Sequence, residues 1–142
     1  MRFATILLVT MGLLSASPAA ACFTSDMEKY TFLPALPKTV PDGAVVLLVR
    51  APKDFDPWAT TGVIEVQSVL AGEWTSDEVE LVFGPYTSCS RREFLVSPSF
   101  VVGTPSAIPG RLNALEFRLA ALRGVTVLQD GSVKLESFPH EQ

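Results

Sequence analysis

The sequence has few of the residues from which catalytic and metal sites are most often built. It contains one histidine, His140, and two cysteines, Cys22 and Cys89. A single histidine excludes a multi-histidine metal site, and two widely separated cysteines do not have zinc-site spacing. His140 lies in the polar carboxy-terminal tail, where a general base has no positioned partner. We therefore predict that the protein is not an enzyme and holds neither a cofactor nor a metal ion.

Long apolar runs are also missing, and the one near the amino terminus is too short for a transmembrane helix, which needs about 20 residues. That terminus has the three parts of a secretory signal: Arg2, the apolar centre Ile6–Leu14, and the small residues Ala19–Ala21. We predict a signal peptide over residues 1–21 that is cut before Cys22. The product is then exported, to the periplasm or the medium, without a membrane span.

An excess of positive charge is absent as well. The whole chain has a net charge of −4, and loss of residues 1–21, which contain Arg2 but no acidic residue, leaves ten basic and fifteen acidic side chains. This balance gives no electrostatic reason to bind nucleic acid or anionic lipid. Residues 22–142 have the length of a single domain. We predict one domain over this range.

The two cysteines have two alternative roles. In an oxidising compartment an isolated pair, here Cys22 and Cys89, most simply forms a disulfide. Closing so long a loop stabilises a fold by roughly 4 kcal/mol on the chain-entropy argument. Alternatively, Cys22 carries a lipid as in a bacterial lipoprotein, although Ala19-Ala20-Ala21-Cys22 is a poor version of that signal. The disulfide is the favoured interpretation.

Short apolar runs separated by turn residues predict a mainly β fold. Residues 44–49 form a β-branched run typical of a strand buried on both faces, and residues 62–70 alternate like a half-buried strand, with Ile64, Val66 and Leu70 on one face. Further strands are expected over residues 79–83, 94–96 and 100–102, with Pro98 at an edge or a break. This spacing favours a small barrel or sandwich.

The carboxy-terminal third predicts one helix and one hairpin. Leucines recur at three- and four-residue steps, and Gly124 follows as a carboxy-terminal cap, so we expect an amphipathic helix over about residues 111–123. Asp130-Gly131 signals a tight turn between two apolar segments, so a β-hairpin is expected over about residues 124–137.

Two further clusters of charged residues are interpreted without a metal-binding or redox role. Asp54 and Asp56 offer two carboxylates but not the other oxygen ligands that calcium needs, which favours a solvated loop. Arg91 and Arg92 beside Cys89 would lower the pKa of a free thiol. A lone thiol is a poor redox site outside the cell, so we expect a structural half-cystine followed by exposed arginines.

The predicted cut and disulfide together suggest a chemical use for the amino terminus. Pairing Cys22 with Cys89 would fix a free α-amine beside a rigid strand end. An α-amine and the adjacent carbonyl group can bind a metal ion as a bidentate chelate.

The order of these segments resembles bacterial members of the netrin-like superfamily, which is related to the tissue inhibitors of metalloproteinases. The resemblance covers roughly residues 22–123 and rests on Cys22, the strand that ends at Arg50, the stretch Gly62–Gly72, Thr87-Ser88-Cys89, and the segment from Phe94 to Gly103. It implies a five-stranded barrel of the oligonucleotide/oligosaccharide-binding (OB) type.

The resemblance also implies a function. Cys22 and Cys89 match the disulfide that ties the amino terminus to the barrel, and Cys22 matches the residue whose amine and carbonyl bind the zinc of a target protease. The chain departs from the inhibitors in having Thr24 in place of a second cysteine and the bulky Phe23 in place of a small residue.

Three functional hypotheses follow. The first is an exported, non-enzymatic binding module whose disulfide-anchored amino terminus, Cys22 and Phe23, contacts a protein partner, which the resemblance implies is a secreted metalloprotease. The second is a structural or lipid-anchored envelope protein attached through Cys22. The third, an enzyme, has least support because nucleophile and metal motifs are missing.

Overall fold

A computed structural model describes Cys22 and residues 24–136. The predicted signal peptide, Phe23 and His140 lie outside the described residues. In chain order the strands are β1 (Lys29–Tyr30), β2 (Val45–Arg50), β3 (Thr61–Ala71), β4 (Glu78–Val82), β5 (Ser90–Arg91), β6 (Ser99–Pro105), β7 (Arg111–Ala114), β8 (Phe117–Arg118), β9 (Val125–Val127) and β10 (Val133–Leu135). Single 3-10 turns cover Ser25–Met27 and Leu119–Ala121.

Five of these strands close into a barrel in the order β2-β3-β4-β7-β6, with β6 pairing back onto β2. All neighbours in the barrel are antiparallel except β4 and β7, which run parallel with Leu81 opposite Leu112. The mainly β prediction is therefore confirmed. Closure satisfies the backbone groups that an open sheet would leave at its edges.

Two apolar clusters lie on the two faces of β2. Its alternate residues Val45, Leu47 and Val49 point into the barrel, whereas Val46 packs outside against the segment of chain that precedes β2. This alternation follows from the two-residue period of a strand. It confirms the prediction of a strand buried on both faces. The outer cluster attaches residues 30–36 to the barrel wall.

The predicted helix over residues 111–123 is wrong. The described residues contain no α-helix; this stretch forms β7, β8 and the turn Leu119–Ala121. Its leucines do not share one face, because Leu112 enters the barrel interior while Leu119 and Leu122 pack in the outer cluster. A helix here would also leave β4 and β6 without the strand that joins them. Barrel closure therefore outweighs the helical spacing.

Two smaller predictions along the strands also fail. Residues 94–96 form no strand, and Leu95 and Val96 are exposed; the chain enters β6 only after Pro98. Leu70 is exposed rather than on the same face as Ile64, because one register shift in the pairing of β2 with β3 falls between Val66 and Ser68, and Leu70 is itself the residue left unpaired at the second shift. Each shift turns later side chains toward the other face.

The predicted terminal hairpin is present. β9 and β10 pair antiparallel, with Val127 opposite Val133. Asp130 shapes the turn by accepting hydrogen bonds from the Ser132 amide (2.8 Å) and hydroxyl (2.6 Å), and Gly131 has φ of 80°. Such a turn needs a residue that tolerates positive φ. Among the described residues, no helix is long and apolar enough to cross a membrane.

The position of Leu112 provides a test of the barrel. Replacing Leu112 by alanine leaves a cavity in the interior, so the free energy of unfolding should fall by about 2–5 kcal/mol. Leu128→Ala is the matched control, since Leu128 is 45% exposed, and it should change stability by less than about 0.5 kcal/mol. Urea unfolding of both variants checks this. Equal effects would contradict the assignment of Leu112 to the interior.

Candidate functional site: the stapled amino-terminal arm

The amino-terminal arm, Cys22 and residues 24–31, is fixed first by a covalent bond. Cys22 and Cys89 form a disulfide across 67 positions of sequence, with their Cα atoms 5.0 Å apart. The predicted pairing is confirmed, and neither cysteine is a free thiol. Cys89 directly precedes β5, so the disulfide attaches the start of the arm to the beginning of that strand.

Backbone hydrogen bonds hold the arm on both sides. β1 pairs in parallel with β5 and antiparallel with β8, which makes it the central strand of a three-stranded sheet. The Lys29 amide donates to the Cys89 carbonyl (2.8 Å), and the Thr31 amide donates to the Arg91 carbonyl (3.0 Å). Phe32 and Leu33 then enter the two cores with no exposed surface. The arm is thus built into the fold beyond its disulfide.

An ion pair reinforces the arm between the disulfide and β1. The Arg91 guanidinium donates to Glu28 Oε1 at 2.6 Å and 3.1 Å, and the Tyr30 hydroxyl donates to Glu28 Oε2 at 2.7 Å. Arg91 also donates to the Ser88 carbonyl. Because the pair is only partly exposed, solvent screens it less than an ordinary surface pair. Glu28 therefore links two side chains, one from the arm and one from β5.

The prediction of two exposed arginines after Cys89 is wrong. Arg91 is partly buried in the Glu28 pair, and Arg92 is only 2% exposed. Arg92 donates to the carbonyls of Ala59 (3.0 Å) and Gly84 (2.5 Å), and its guanidinium lies 4.8 Å from the Phe83 ring centre. No carboxylate pairs with it among the described residues. A desolvated cation–aromatic contact contributes about 2 kcal/mol and partly offsets this burial.

Two surface depressions are lined in part by residues of the arm. One, of about 490 Å³, lies between Thr24 and Asp26 of the arm and the tip of the terminal hairpin, residues 127–131. The other, of about 320 Å³, is lined by Met27, Lys29 and residues that include Glu116 and Arg118. Hydrogen bonding from Thr24 lowers the pKa of Asp26, which therefore stays ionised at neutral pH. The arm therefore contributes residues to the lining of both depressions.

The remaining predicted residues do not join this site. Phe23 lies outside the described residues, so its direction stays a prediction. Asp54 and Asp56 lie in an exposed loop, where Asp56 accepts a hydrogen bond from the Trp58 amide (2.9 Å). Over residues 24–136 and Cys22, no group of three histidine, cysteine or carboxylate side chains is arranged to hold a metal ion.

A scan against protein-family models and searches of curated proteins and solved structures find no match to this chain.

Loss of the disulfide should weaken the fold without removing the arm's other contacts. For the Cys22→Ser/Cys89→Ser variant we expect the free energy of unfolding to fall by about 2–5 kcal/mol. Denaturant unfolding with and without reductant measures this. The double-serine variant is its own control, because reductant should destabilise the native protein and leave the variant unchanged. A native protein that reductant does not destabilise would contradict the assigned role.

Tyr30 should make the stability of the arm depend on pH above 10. Burial, followed by the hydrogen bond to Glu28, raises the pKa of Tyr30 from 10.0 to about 12. A raised pKa means that the folded state favours the protonated phenol; this contribution is complete below pH 10 and is lost as pH rises toward 12. The stability difference between native protein and Tyr30→Phe should therefore shrink from pH 9 to pH 12, as measured by urea unfolding. A constant difference would refute this.

Proposed function

We propose that the exported protein is a non-enzymatic binding module whose amino-terminal arm contacts a protein partner. One observation carries this proposal: the arm is fixed by the Cys22–Cys89 disulfide and by hydrogen bonds on both sides of β1, and its residues line parts of two open depressions. A segment that is already fixed loses little conformational entropy on binding, which increases affinity.

The barrel is compatible with an OB-type architecture. Its five strands close in the order β2-β3-β4-β7-β6 with one parallel pair, and its arm is attached by the disulfide that the netrin-like resemblance implies. These features support that resemblance and motivate a metalloprotease as the partner. Fold by itself does not determine function, so the chemistry of the arm must carry the proposal.

The chemistry proposed for the arm depends on cleavage before Cys22. A mature chain that begins at Cys22 has its α-amine on the residue whose sulfur is bonded to Cys89. The amine and carbonyl of Cys22 would chelate the partner's zinc, and Phe23 would enter a neighbouring pocket of the partner. The amine must be unprotonated and free, because only its lone pair can bind a metal.

The disulfide favours this proposal over attachment to the envelope by a lipid. Lipidation would alkylate the sulfur atom of Cys22, and that atom is bonded to the sulfur of Cys89. One sulfur cannot carry both bonds. Mass measurement of the mature amino-terminal peptide separates the alternatives, since a lipid adduct on Cys22 would exclude both the disulfide and the free-amine chemistry.

Extending the amino terminus tests the chelation directly. We expect the mature protein to inhibit at least one member of a panel of secreted zinc metalloproteases. One additional alanine before Cys22 displaces the amine and should weaken inhibition at least tenfold, or about 1.4 kcal/mol. An alanine added after Gln142 is the matched control and should leave inhibition unchanged. Thermal unfolding checks that both extended proteins remain folded.

Two results would contradict this assignment. If none of the proteins inhibits any protease, the metalloprotease hypothesis fails. If native and extended proteins inhibit equally, the amino terminus is structural and another surface binds the enzyme. Phe23→Ala should then also leave the choice of target unchanged, whereas the proposal expects it to alter that choice because buried aromatic anchors contribute strongly at interfaces.

A further inference from the structure

An exposed aromatic pair lies on the loops that precede β3 and follow β4. Trp58 is 69% exposed and Tyr86 is 40% exposed. Their rings pack with centres 4.6 Å apart and planes inclined at 46°. We call this pair the indole platform. Exposing an indole to this extent costs free energy, because apolar surface stays in water.

The platform is held in place from beneath. The Arg92 guanidinium lies over the rings of both Phe83 (4.8 Å) and Tyr86 (5.2 Å), so a chain of contacts runs from Phe83 through Arg92 and Tyr86 to Trp58. Arg92 also donates to one carbonyl on each loop, those of Ala59 and Gly84. The two loops that present the platform rings are therefore bound to one buried side chain.

The surroundings of the platform are polar. Exposed neighbours in the two loops include Asp54, Asp56, Thr60 and Thr87. A depression of about 200 Å³ has both aspartates, Phe55, Thr61 and Gly62 in its lining, and neither ring of the platform. A stable protein interface buries about 800 Å² on each partner around an apolar centre. A small aromatic island with hydrogen-bonding neighbours instead suits a small ligand that has one apolar face and polar edges.

The charges around the platform indicate which class of ligand it can bind. The aspartates would accept hydrogen bonds from hydroxyl groups and would repel carboxylates, sulfates or phosphates. Arg92 gives no anion site, because it is buried and donates to carbonyls on both loops. The chain also carries a net charge of −4. An acidic sugar or a nucleic acid is therefore disfavoured.

We propose that the indole platform is a binding site for neutral glycans. The C–H face of a pyranose ring would stack on the Trp58 indole, and hydroxyl groups at its edge would donate to Asp54 and Asp56. A small number of oriented polar groups around an aromatic surface is characteristic of small-molecule sites. The site is separate from the amino-terminal arm and does not depend on its proposed function.

The two tryptophans of the chain provide a matched pair of variants. Trp58 and Trp74 are its only tryptophans, so Trp74→Phe leaves Trp58 as the one indole fluorophore. The mature protein would be titrated with neutral hexasaccharides of glucose, xylose and N-acetylglucosamine. We expect at least one sugar to give a saturable change in Trp58 emission in the Trp74→Phe variant. Calorimetry should show affinity weakened at least tenfold in Trp58→Ala and retained in Trp74→Phe.

Two further measurements check the folding of the variants and the effect of ligand charge. Trp58 is exposed, so Trp58→Ala should unfold within a few degrees of the native protein. An oligogalacturonate of equal length should bind more weakly than the neutral sugars, and Asp54→Asn/Asp56→Asn should reduce that difference.

Three outcomes would overturn the proposal. The first is the absence of saturable binding to any of the neutral hexasaccharides. The second is equal affinity in native protein and Trp58→Ala, which would place sugar binding elsewhere. The third is tighter binding of oligogalacturonate than of every neutral sugar.

Discussion

Four consecutive residues, Cys89 to Arg92, connect the parts of this molecule that would otherwise be independent. Cys89 forms the disulfide to the arm. Ser90 is fully buried and donates to Glu116. Arg91 pairs with Glu28 on the arm, and Arg92 joins the loops that carry Trp58 and Tyr86. The three-stranded sheet of β5, β1 and β8, the arm and the indole platform thus share one anchoring segment.

The side chains of this segment reach different parts of the molecule because neighbouring residues in extended chain point to opposite sides. Arg91 therefore contacts the arm, whereas Arg92 enters the aromatic stack. Their environments also differ: Arg91 has a carboxylate partner, while Arg92 is stabilised by two carbonyls and two aromatic rings. Substituting one is expected to affect mainly one surface, since the two arginines have no partner in common among their hydrogen bonds.

Local sequence patterns predicted the structure where barrel closure agrees with them and failed where closure requires a different structure. The doubly buried strand β2 and the Asp130-Gly131 hairpin follow from local sequence, and the two cysteines left one intramolecular pairing. The helix expected over residues 111–123 failed because Leu112 and Leu119 serve separate cores, which only the barrel topology reveals. The burial of Arg92 was missed for the same reason: its carbonyl partners are 33 and 8 positions away. The nearby aromatic residues Phe83 and Tyr86 were the only local sequence signal for the burial of Arg92.

The arrangement explains how one small barrel can present two rigid surfaces. Loops on a barrel are normally its most mobile parts, and a mobile surface loses entropy when it binds. Here the arm is fixed by a disulfide, an ion pair and two neighbouring strands, and the platform loops are fixed by a buried guanidinium. The restraints on the arm and on the platform loops both involve one short segment outside the barrel strands. The side chains of the barrel strands form the core. A buried arginine without a carboxylate costs free energy; the two carbonyl bonds and two aromatic contacts of Arg92 offset part of this cost and at the same time join the loops that carry Trp58 and Tyr86.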